Sequence, residues 1–124
     1  PIEGVLFFTP LKGAISQGYD SHLHPAVDIT APAGTVVKAV LDGTVVSADW
    51  SKDTGYTMYI QHVGDIISVY KHNERLLKSA GDKVSAGSPV AVIGNTGELT
   101  TGTHLHFELW HKGDTVDPAR FINF

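Results

Sequence analysis

The chain has 124 residues, 42% of them hydrophobic, and a formal net charge of -4. This length allows one domain with a hydrophobic core and is too short for two. The acidic balance and the scattered nine Lys and Arg residues argue against nucleic-acid binding and against a basic membrane-binding patch. No apolar run approaches the roughly 18 residues of a membrane span. The absence of Cys excludes disulfides and thiolate chemistry.

Short runs rich in β-branched and aromatic residues follow one another along the chain, punctuated by thirteen Gly and six Pro residues. Such runs predict strands. The predicted strands are Thr35 to Val40, Gly43 to Ala48, Tyr56 to Val63, Asp65 to Tyr70, Pro89 to Ile93 and His104 to Trp110. The pairs Asp42-Gly43 and Gly64-Asp65 are typical of hairpin turns. We therefore predict an all-β fold, a single domain of short antiparallel strands.

Helical signals are scarce. Only Asn73 to Ser79 and Pro118 to Ile122 are predicted to form a helical turn or two. Asp117 precedes Pro118, which suits an N-cap followed by Pro in the first turn. Because the sequence starts at Pro1 and not at Met, we expect residues 1–124 to be one domain trimmed from a longer, exported protein. We expect this domain to be a monomer.

A first pair of candidate metal ligands lies in the segment His24-Pro25-Ala26-Val27-Asp28. Pro25 argues against a helix, so the two side chains would converge from an extended or turning segment. Zn²⁺ accepts imidazole and carboxylate ligands, and catalytic zinc sites use three protein ligands with one position left open. His24 and Asp28 would supply two of the three.

The strand beginning at His104 offers the third ligand. Side chains alternate between the two faces of a strand, so His104, His106 and Glu108 share one face. The residues predicted to face the core are Leu105, Phe107 and Leu109. From the residues alone, either histidine could complete the ligand set. Glu108 could hydrogen-bond a ligand imidazole, or it could be an ordinary solvent-facing carboxylate.

The remaining histidines have no candidate ligand or catalytic partner that their sequence neighbours clearly supply. Taken alone, His72 at the end of a strand run indicates a solvated loop residue. We interpret His62 as an exposed strand residue and His111 as the end of the His104 strand. His22 is near His24 but has no required role.

At this point the motifs resemble those of a known family. The order His-x-x-x-Asp, then Tyr-x-His, then Gly-Thr-His-x-His-Phe-Glu is similar to that of the M23 zinc metallopeptidases, the lysostaphin-type or LytM-type domains. The stretches Asp28 to Val37, Ala80 to Val84 and Ile93 to Gly97 are similar as well. The resemblance extends from about Pro10 to about Phe121, and it implies a LytM-like β-sheet with a groove.

The resemblance implies a role for each matching residue. His24, Asp28 and His106 would be the zinc ligands, and His72 and His104 the two catalytic histidines that do not bind the metal. The implied reaction is peptide-bond hydrolysis with zinc polarising the scissile carbonyl. One histidine would act as general base on the attacking water. The other would stabilise the oxyanion or protonate the leaving amine.

One position departs from the family pattern, because Ala26 stands where members usually carry Gly. If the backbone there required a positive φ, Ala would cost about 1 kcal/mol. A methyl group could also narrow the substrate groove. Tyr19 and Asn95 are groove candidates by loop position only, and structural or surface roles are favoured for both.

The implied substrates are the peptides of bacterial peptidoglycan, which place the protein in the periplasm or at the cell surface. The loops Ser47 to Gly55 and Asn95 to Gly102 look short, which favours a D,D-endopeptidase over a glycyl-glycine endopeptidase. A first alternative is a degenerate member that activates another cell-wall hydrolase, although no ligand or catalytic histidine is lost here. A second is a lipoyl- or biotinyl-like carrier, suggested by the segment Gly81 to Val90, but no hairpin presents a suitable Lys.

Overall fold

The computed structural model describes residues 1–97 and 102–124. Within these ranges the chain forms eleven strands and two short 3-10 turns, at Ile2–Gly4 and Pro118–Arg120. The strands are β1 (Ala14–Gln17), β2 (Val27–Thr30), β3 (Val36–Lys38), β4 (Gly43–Ser51), β5 (Gly55–His62), β6 (Ile66–Asn73), β7 (Arg75–Leu76), β8 (Lys83–Val84), β9 (Pro89–Val92), β10 (His104–His111) and β11 (Asp114–Val116). The predicted all-β fold of short antiparallel strands is confirmed. No helix in the described part of the chain is long and apolar enough to cross a membrane.

The strands form one large and one small antiparallel sheet. The eight-stranded sheet has the order β1-β2-β10-β6-β5-β4-β8, with β11 beside β10, and the three-stranded sheet has the order β3-β9-β7. Strand β10 pairs with β2 on one side and with β6 on the other. These three strands are distant in sequence, yet they carry most of the candidate site residues. The topology therefore brings those residues to adjacent strands.

Alternation along β10 separates the core from the candidate site. Leu105, Phe107 and Leu109 are fully buried, as predicted. Phe107 lies opposite Tyr70 of β6, and the two ring centroids are 5.4 Å apart. Side chains of the small sheet, including Val37, belong to the same hydrophobic cluster. Each fully buried side chain of this size stabilises the fold by about 1.5–3 kcal/mol, so this cluster holds β10 in place.

The predicted hairpin at Asp42-Gly43 is wrong. Strand β3 pairs with β9 in the small sheet, whereas β4 pairs with β5 and β8 in the large one. A Cβ atom at Gly43 would lie 2.4 Å from the carbonyl oxygen of Gln61. Gly43 is therefore required by close packing against β5, and it does not mark a turn between paired strands.

Of the other local predictions, two are confirmed and one is wrong. Gly64 and Asp65 have φ angles of 86° and 59°, as a tight hairpin turn requires, and they join the paired strands β5 and β6. The N-cap is also confirmed, because the Asp117 side chain accepts a hydrogen bond from the Ala119 amide at 3.0 Å. The helical turn predicted over Asn73 to Ser79 is wrong. That segment ends β6 and forms β7, whose backbone bonds to β9 outweigh the local preference.

His62 is buried, with 4% of its surface exposed, so its interpretation as an exposed residue is wrong. Its Nδ1–H donates to the carbonyl of Asp42 at 2.7 Å, and its Nε2 accepts from the Ser68 hydroxyl at 2.7 Å. The Ser68 oxygen lies 2.8 Å from the hydroxyl of Tyr70. A buried polar side chain is tolerated when its hydrogen bonds are satisfied, and this network satisfies both ring nitrogens.

This buried histidine predicts acid sensitivity. Burial lowers the pKa of His62 below its ordinary value of 6.5, outweighing the opposing effect of Asp42. The unfolded chain then binds a proton before the folded one does, so stability is full above about pH 6.5 and decreases as the pH falls through the folded pKa. We expect the free energy of unfolding, measured with urea at several pH values across this window, to change less with pH in His62→Gln than in the wild type. His22→Gln, on the exposed turn, should show the wild-type dependence on pH. The wild-type dependence in His62→Gln would contradict the assignment.

Candidate functional site

His24 and Asp28 are brought together by a turn and a short strand. His24 forms an isolated bridge with Asp20, whose carboxylate accepts from the His22 and Leu23 amides at 2.9 and 3.0 Å. This capped turn aims His24 at β2, and its Nε2 lies 3.2 Å from Oδ2 of Asp28. The two side chains thus converge from a turning segment, as Pro25 predicts.

His106 completes a group of three. The register of β10 against β2 places His106 directly opposite Asp28, and its Nδ1 lies 3.0 Å from Oδ1 of that carboxylate. One ligand atom from each of His24, Asp28 and His106 lies within 4.8 Å of the others. The structure therefore brings together the three residues that the family resemblance assigns to the metal.

The hydrogen bonds of this group suit a metal ion. Nδ1–H of His24 donates to the carbonyl of Gly18 at 3.0 Å, so its Nε2 carries a lone pair in the neutral ring. That Nε2 is buried and makes no hydrogen bond among the described residues. Nε2–H of His106 donates to Glu108 at 2.9 Å, which leaves Nδ1 as the ligand atom. Two imidazoles and one carboxylate fit Zn²⁺.

Glu108 hydrogen-bonds the His106 ring at Nε2, the nitrogen that does not face Asp28. It is buried and accepts from His106 Nε2, Trp110 Nε1 and Lys71 Nζ, each at 2.9 Å. Burial alone would raise its pKa, but the bonds to His106, Trp110 and Lys71 lower the pKa to about 2. Of the two alternatives for Glu108, the structure therefore shows the bond to the imidazole. Such partners orient a ligand ring and raise its basicity.

The charges inside the group reinforce one another. Burial would raise the pKa of Asp28, but the protonated form of His106, whose Nδ1–H donates to Asp28 while Nε2–H donates to Glu108, lowers it overall. Burial would lower the pKa of His106, yet the carboxylates of Asp28 and Glu108 raise it. Both carboxylates are thus held ionised around the ring of His106, ready to compensate a bound cation.

His72 and His104 lie beside the group of three, and Nε2 of His104 is 3.8 Å from Oδ2 of Asp28. Nδ1–H of His72 donates to the carbonyl of Thr96 at 2.9 Å, and Nδ1–H of His104 donates to the carbonyl of Gly102 at 2.8 Å. Carbonyls only accept, so each neutral ring keeps an unprotonated Nε2. The ring centroids are 5.2 Å apart. His72 is buried within β6, so its interpretation as a solvated loop residue is wrong.

The backbone of His72 is held in an unusual conformation. Its φ angle is 67°, which costs about 1–3 kcal/mol for a residue with a side chain and persists only where neighbours impose it. The His72 amide donates to the Thr54 carbonyl at 2.9 Å. The Thr96 hydroxyl donates to the Asn73 carbonyl at 2.5 Å. Burial lowers the pKa of His72, outweighing the Thr96 bond.

The five residues line one cleft of about 230 Å³. Three further residues complete its lining, namely Gln17, Thr54 and Lys71. Sequence analysis missed these three and also Thr96. Two of them could have been found from their positions in the sequence. Lys71 is the middle residue of the Tyr-x-His motif, and Thr96 follows the groove candidate Asn95. A larger cavity, of about 640 Å³, contains none of the five.

The remaining candidates lie outside the cleft lining. The Tyr19 hydroxyl is 2.8 Å from the hydroxyl of Thr115, a structural contact with β11. The Asn95 side chain accepts from the Gly102 amide at 3.1 Å. His22 is exposed, and His111 ends β10 as predicted. The predicted loop from Asn95 to Gly102 falls partly on residues 98–101, outside the described ranges.

Ala26 does not create the strain that its departure from the family pattern suggested. The described residues other than glycine with a positive φ are Asp65, His72 and Lys112. Ala26 is fully buried and is not among the residues lining the cleft. Its methyl group therefore packs into the core and does not narrow the groove.

Comparison with known proteins gives the family. A profile of peptidase family M23 matches residues 22–118. The chain belongs to this family. The match includes all five site residues, and it leaves the carrier interpretation without support. The fold and the family together make this an M23 domain of the kind found in peptidoglycan-related proteins.

Three similar M23 proteins carry different descriptions. The murein hydrolase activator NlpD of Escherichia coli is 37% identical over 116 residues, which are 91% of this chain and 30% of NlpD. A zinc containing peptidase from Vibrio cholerae superposes with a TM-score of 0.82 at 29% identity, covering 88% of this chain and 37% of that one. The catalytic domain of the antimicrobial peptidase lysostaphin from Staphylococcus simulans gives a TM-score of 0.75 at 30% identity, covering 88% and 86%. The chain thus spans less than a third of the length of NlpD.

Proposed function

We propose that this M23 domain is a zinc-dependent endopeptidase that hydrolyses peptide cross-links or stem peptides of bacterial peptidoglycan, in the periplasm or at the cell surface. One observation carries the proposal. A cleft of about 230 Å³ combines a three-residue donor set with two further histidines whose Nε2 atoms are unprotonated in the neutral rings. A domain that only activated a partner would not need the complete set.

The side chains of the cleft divide the reaction between them. When bound, zinc supplies Lewis acidity that polarises the scissile carbonyl and lowers the pKa of water at the site. His24, Asp28 and His106 would hold it. His72 and His104 would move protons at Nε2: one accepts a proton from the attacking water, and the other in its protonated form stabilises the oxyanion or protonates the leaving amine. The bonds from Nδ1 to Thr96 and Gly102 keep both rings oriented.

The shape of the groove favours D,D-cross-links over glycine bridges. Strand β4 continues to Ser51 and β5 begins at Gly55, so the loop predicted over Ser47 to Gly55 is shorter than expected, only residues 52–54. A short loop leaves a compact groove. Digestion of muropeptides with defined cross-links, analysed by mass spectrometry, should release the products of D,D-cleavage. Cleavage of glycine bridges alone would contradict this preference.

A second candidate function is activation of another cell-wall hydrolase, which the similarity to NlpD favours. The two functions are separable with purified components. An endopeptidase alone solubilises peptidoglycan, whereas an activator solubilises it only when the second hydrolase is present. We expect solubilisation by the domain alone.

Zinc should be required for this activity. We expect the purified domain to contain about one zinc per chain, because one ligand atom from each of His24, Asp28 and His106 lies within 4.8 Å of the others. Peptidoglycan hydrolysis should disappear with a chelator and return when zinc is added. Metal analysis of the folded wild-type protein provides the measurement. Folded protein that hydrolyses peptidoglycan without metal would contradict the proposal.

A further inference from the structure

A loop of four residues, 94–97, contacts both histidines that the proposed reaction uses for proton transfer. The amide of His104 donates to the carbonyl of Gly94 at 3.3 Å. The ring of His72 donates to the carbonyl of Thr96 at 2.9 Å, and the Thr96 amide donates back to the His72 carbonyl at 3.4 Å. This segment, which we call the 94–97 loop, therefore helps to set where both rings lie.

The Thr96 side chain fastens the 94–97 loop to the ends of two strands. Its hydroxyl donates to the carbonyl of Asn73, the residue after His72 in β6, at 2.5 Å. The same oxygen accepts from the amide of Tyr56, near the start of β5, at 3.3 Å. Because a hydroxyl both donates and accepts, this one side chain bonds β5 and β6 at once.

Two glycines allow the loop to come this close to the strands. Gly55 and Gly97 have φ angles of 68° and 92°, in the region that favours glycine. A Cβ atom on Gly55 would lie 2.6 Å from the carbonyl oxygen of Thr96, and one on Gly97 would lie 2.5 Å from the amide nitrogen of Gly55. The backbone is therefore shaped for direct contact at this point, and Thr96 lies at the contact.

Asn73 is held from the other side by its own side chain. It is fully buried, and its Nδ2 donates to the carbonyls of Tyr56 and Tyr70, each at 3.1 Å. With the Thr96 hydroxyl on its carbonyl, Asn73 is fixed through both backbone and side chain. The preceding residue, His72, has a φ angle of 67°, which persists only where neighbours impose it. The bond from Thr96 is one of the contacts that impose it.

We infer that Thr96 is a positioning residue of the proposed endopeptidase: its hydroxyl keeps the 94–97 loop against β5 and β6 and so holds the His72 ring with Nε2 left for the cleft. The inference rests on the proposed function, since the position of His72 affects a rate only where that ring moves a proton. Without the hydroxyl, two backbone groups lose a partner, and the carbonyl that orients the ring is released with the loop. The three metal-binding candidates make no hydrogen bond to the loop among the described residues, so zinc should stay.

Replacing Thr96 by Ala and by Ser isolates the hydroxyl, because both variants lose the methyl group and only Ser keeps the hydroxyl. With zinc-loaded protein and a defined cross-linked muropeptide, we expect Thr96→Ala to lower kcat by about 10–100-fold, the effect of misplacing a reacting group. KM and zinc content should not change. Thr96→Ser should restore kcat to near the wild-type value. Thr9→Ala is the matched control, because it removes a hydroxyl bond to the carbonyl of Asn123 outside the cleft, and it should leave kcat unchanged.

Proton NMR gives a readout that does not depend on cleavage. The Nδ1–H proton of His72, assigned by its disappearance in His72→Ala, should exchange slowly with water in the wild type, because it is bonded to a carbonyl and the residue is buried. In folded Thr96→Ala it should exchange about tenfold faster or more, since the loop that carries its acceptor opens more often. Thr96→Ser and Thr9→Ala should keep the wild-type protection.

A wild-type kcat, or an Nδ1–H proton that stays protected, in folded Thr96→Ala would overturn the inference. A rise in KM at constant kcat, loss of zinc, or a Ser variant as defective as the Ala variant would also overturn it. If Thr96→Ala does not fold, folded Thr96→Ser decides: a protected proton supports the inference and an unprotected one overturns it. Fast exchange in Thr96→Ala alone, together with a wild type that cleaves no muropeptide, would support the positioning of His72 and contradict only the endopeptidase proposal.

Discussion

His72→Ala should leave the zinc content of the domain unchanged and reduce kcat/KM by about 10²–10⁴-fold, the usual contribution of a positioned acid or base. His72 is not in the group of three whose ligand atoms converge. Its ring contacts those of His104 and His106, with centroids 5.2 and 5.8 Å away. Removing it therefore removes a proton-transfer group while the donor set stays in place.

His106→Ala is the matched comparison, because it removes a neighbouring imidazole from the same cleft. This variant should lose zinc and activity together, since only two of the three ligands remain. Zinc per chain and the rate of muropeptide cleavage should be measured on the same preparations, with thermal unfolding to establish that each variant is folded. Loss of zinc from folded His72→Ala would show that the ligand assignment is wrong.

Glu108→Gln should weaken zinc binding by about 10–100-fold, the usual effect of removing a partner behind a metal ligand. The carboxylate accepts from Nε2 of His106 and leaves Nδ1 facing Asp28. A neutral amide reduces the basicity of that ring and leaves the ammonium of Lys71 without its anion. Competition with a chromogenic chelator would measure the affinity.

Exposed Glu74 provides a control for the loss of one negative charge. Glu74→Gln should bind zinc as the wild type does. Thermal unfolding of both metal-free variants separates an effect on the fold from an effect on the site, because burial of unpaired Lys71 would also lower the melting temperature. Unchanged zinc affinity in Glu108→Gln would contradict the role assigned to the carboxylate.

Periodicity identified the strands whose alternation was complete, and failed where long-range pairing decided the outcome. The strand from His104 and the burial of Leu105, Phe107 and Leu109 followed from period two, because one face had to be apolar. Asn73 to Ser79 resembled a helical turn locally, but its backbone pairs with β9. The Asp42-Gly43 pair carried a turn signal, but packing against β5 explains the glycine.

Strand β2 shows the same limit at the site itself. Only four residues long, it was not predicted as a strand, although it carries Asp28. Its neighbours β1 and β10 define it through hydrogen bonds to residues far away in sequence. Short strands of this kind have too few residues for a periodic signal, so only their partners reveal them.

The sequence by itself determined which residues are available for chemistry: His24, Asp28, His72, His104 and His106, in spaced motifs that indicate the M23 family. It could not determine burial or hydrogen-bond partners. The tertiary structure decided that His62 is a buried core residue, that Glu108 orients His106, and that the backbone of His72 is held at positive φ. Contacts between distant strands, which local patterns do not encode, decide which ring nitrogen of each imidazole is directed into the cleft and which one bonds a carbonyl or a carboxylate.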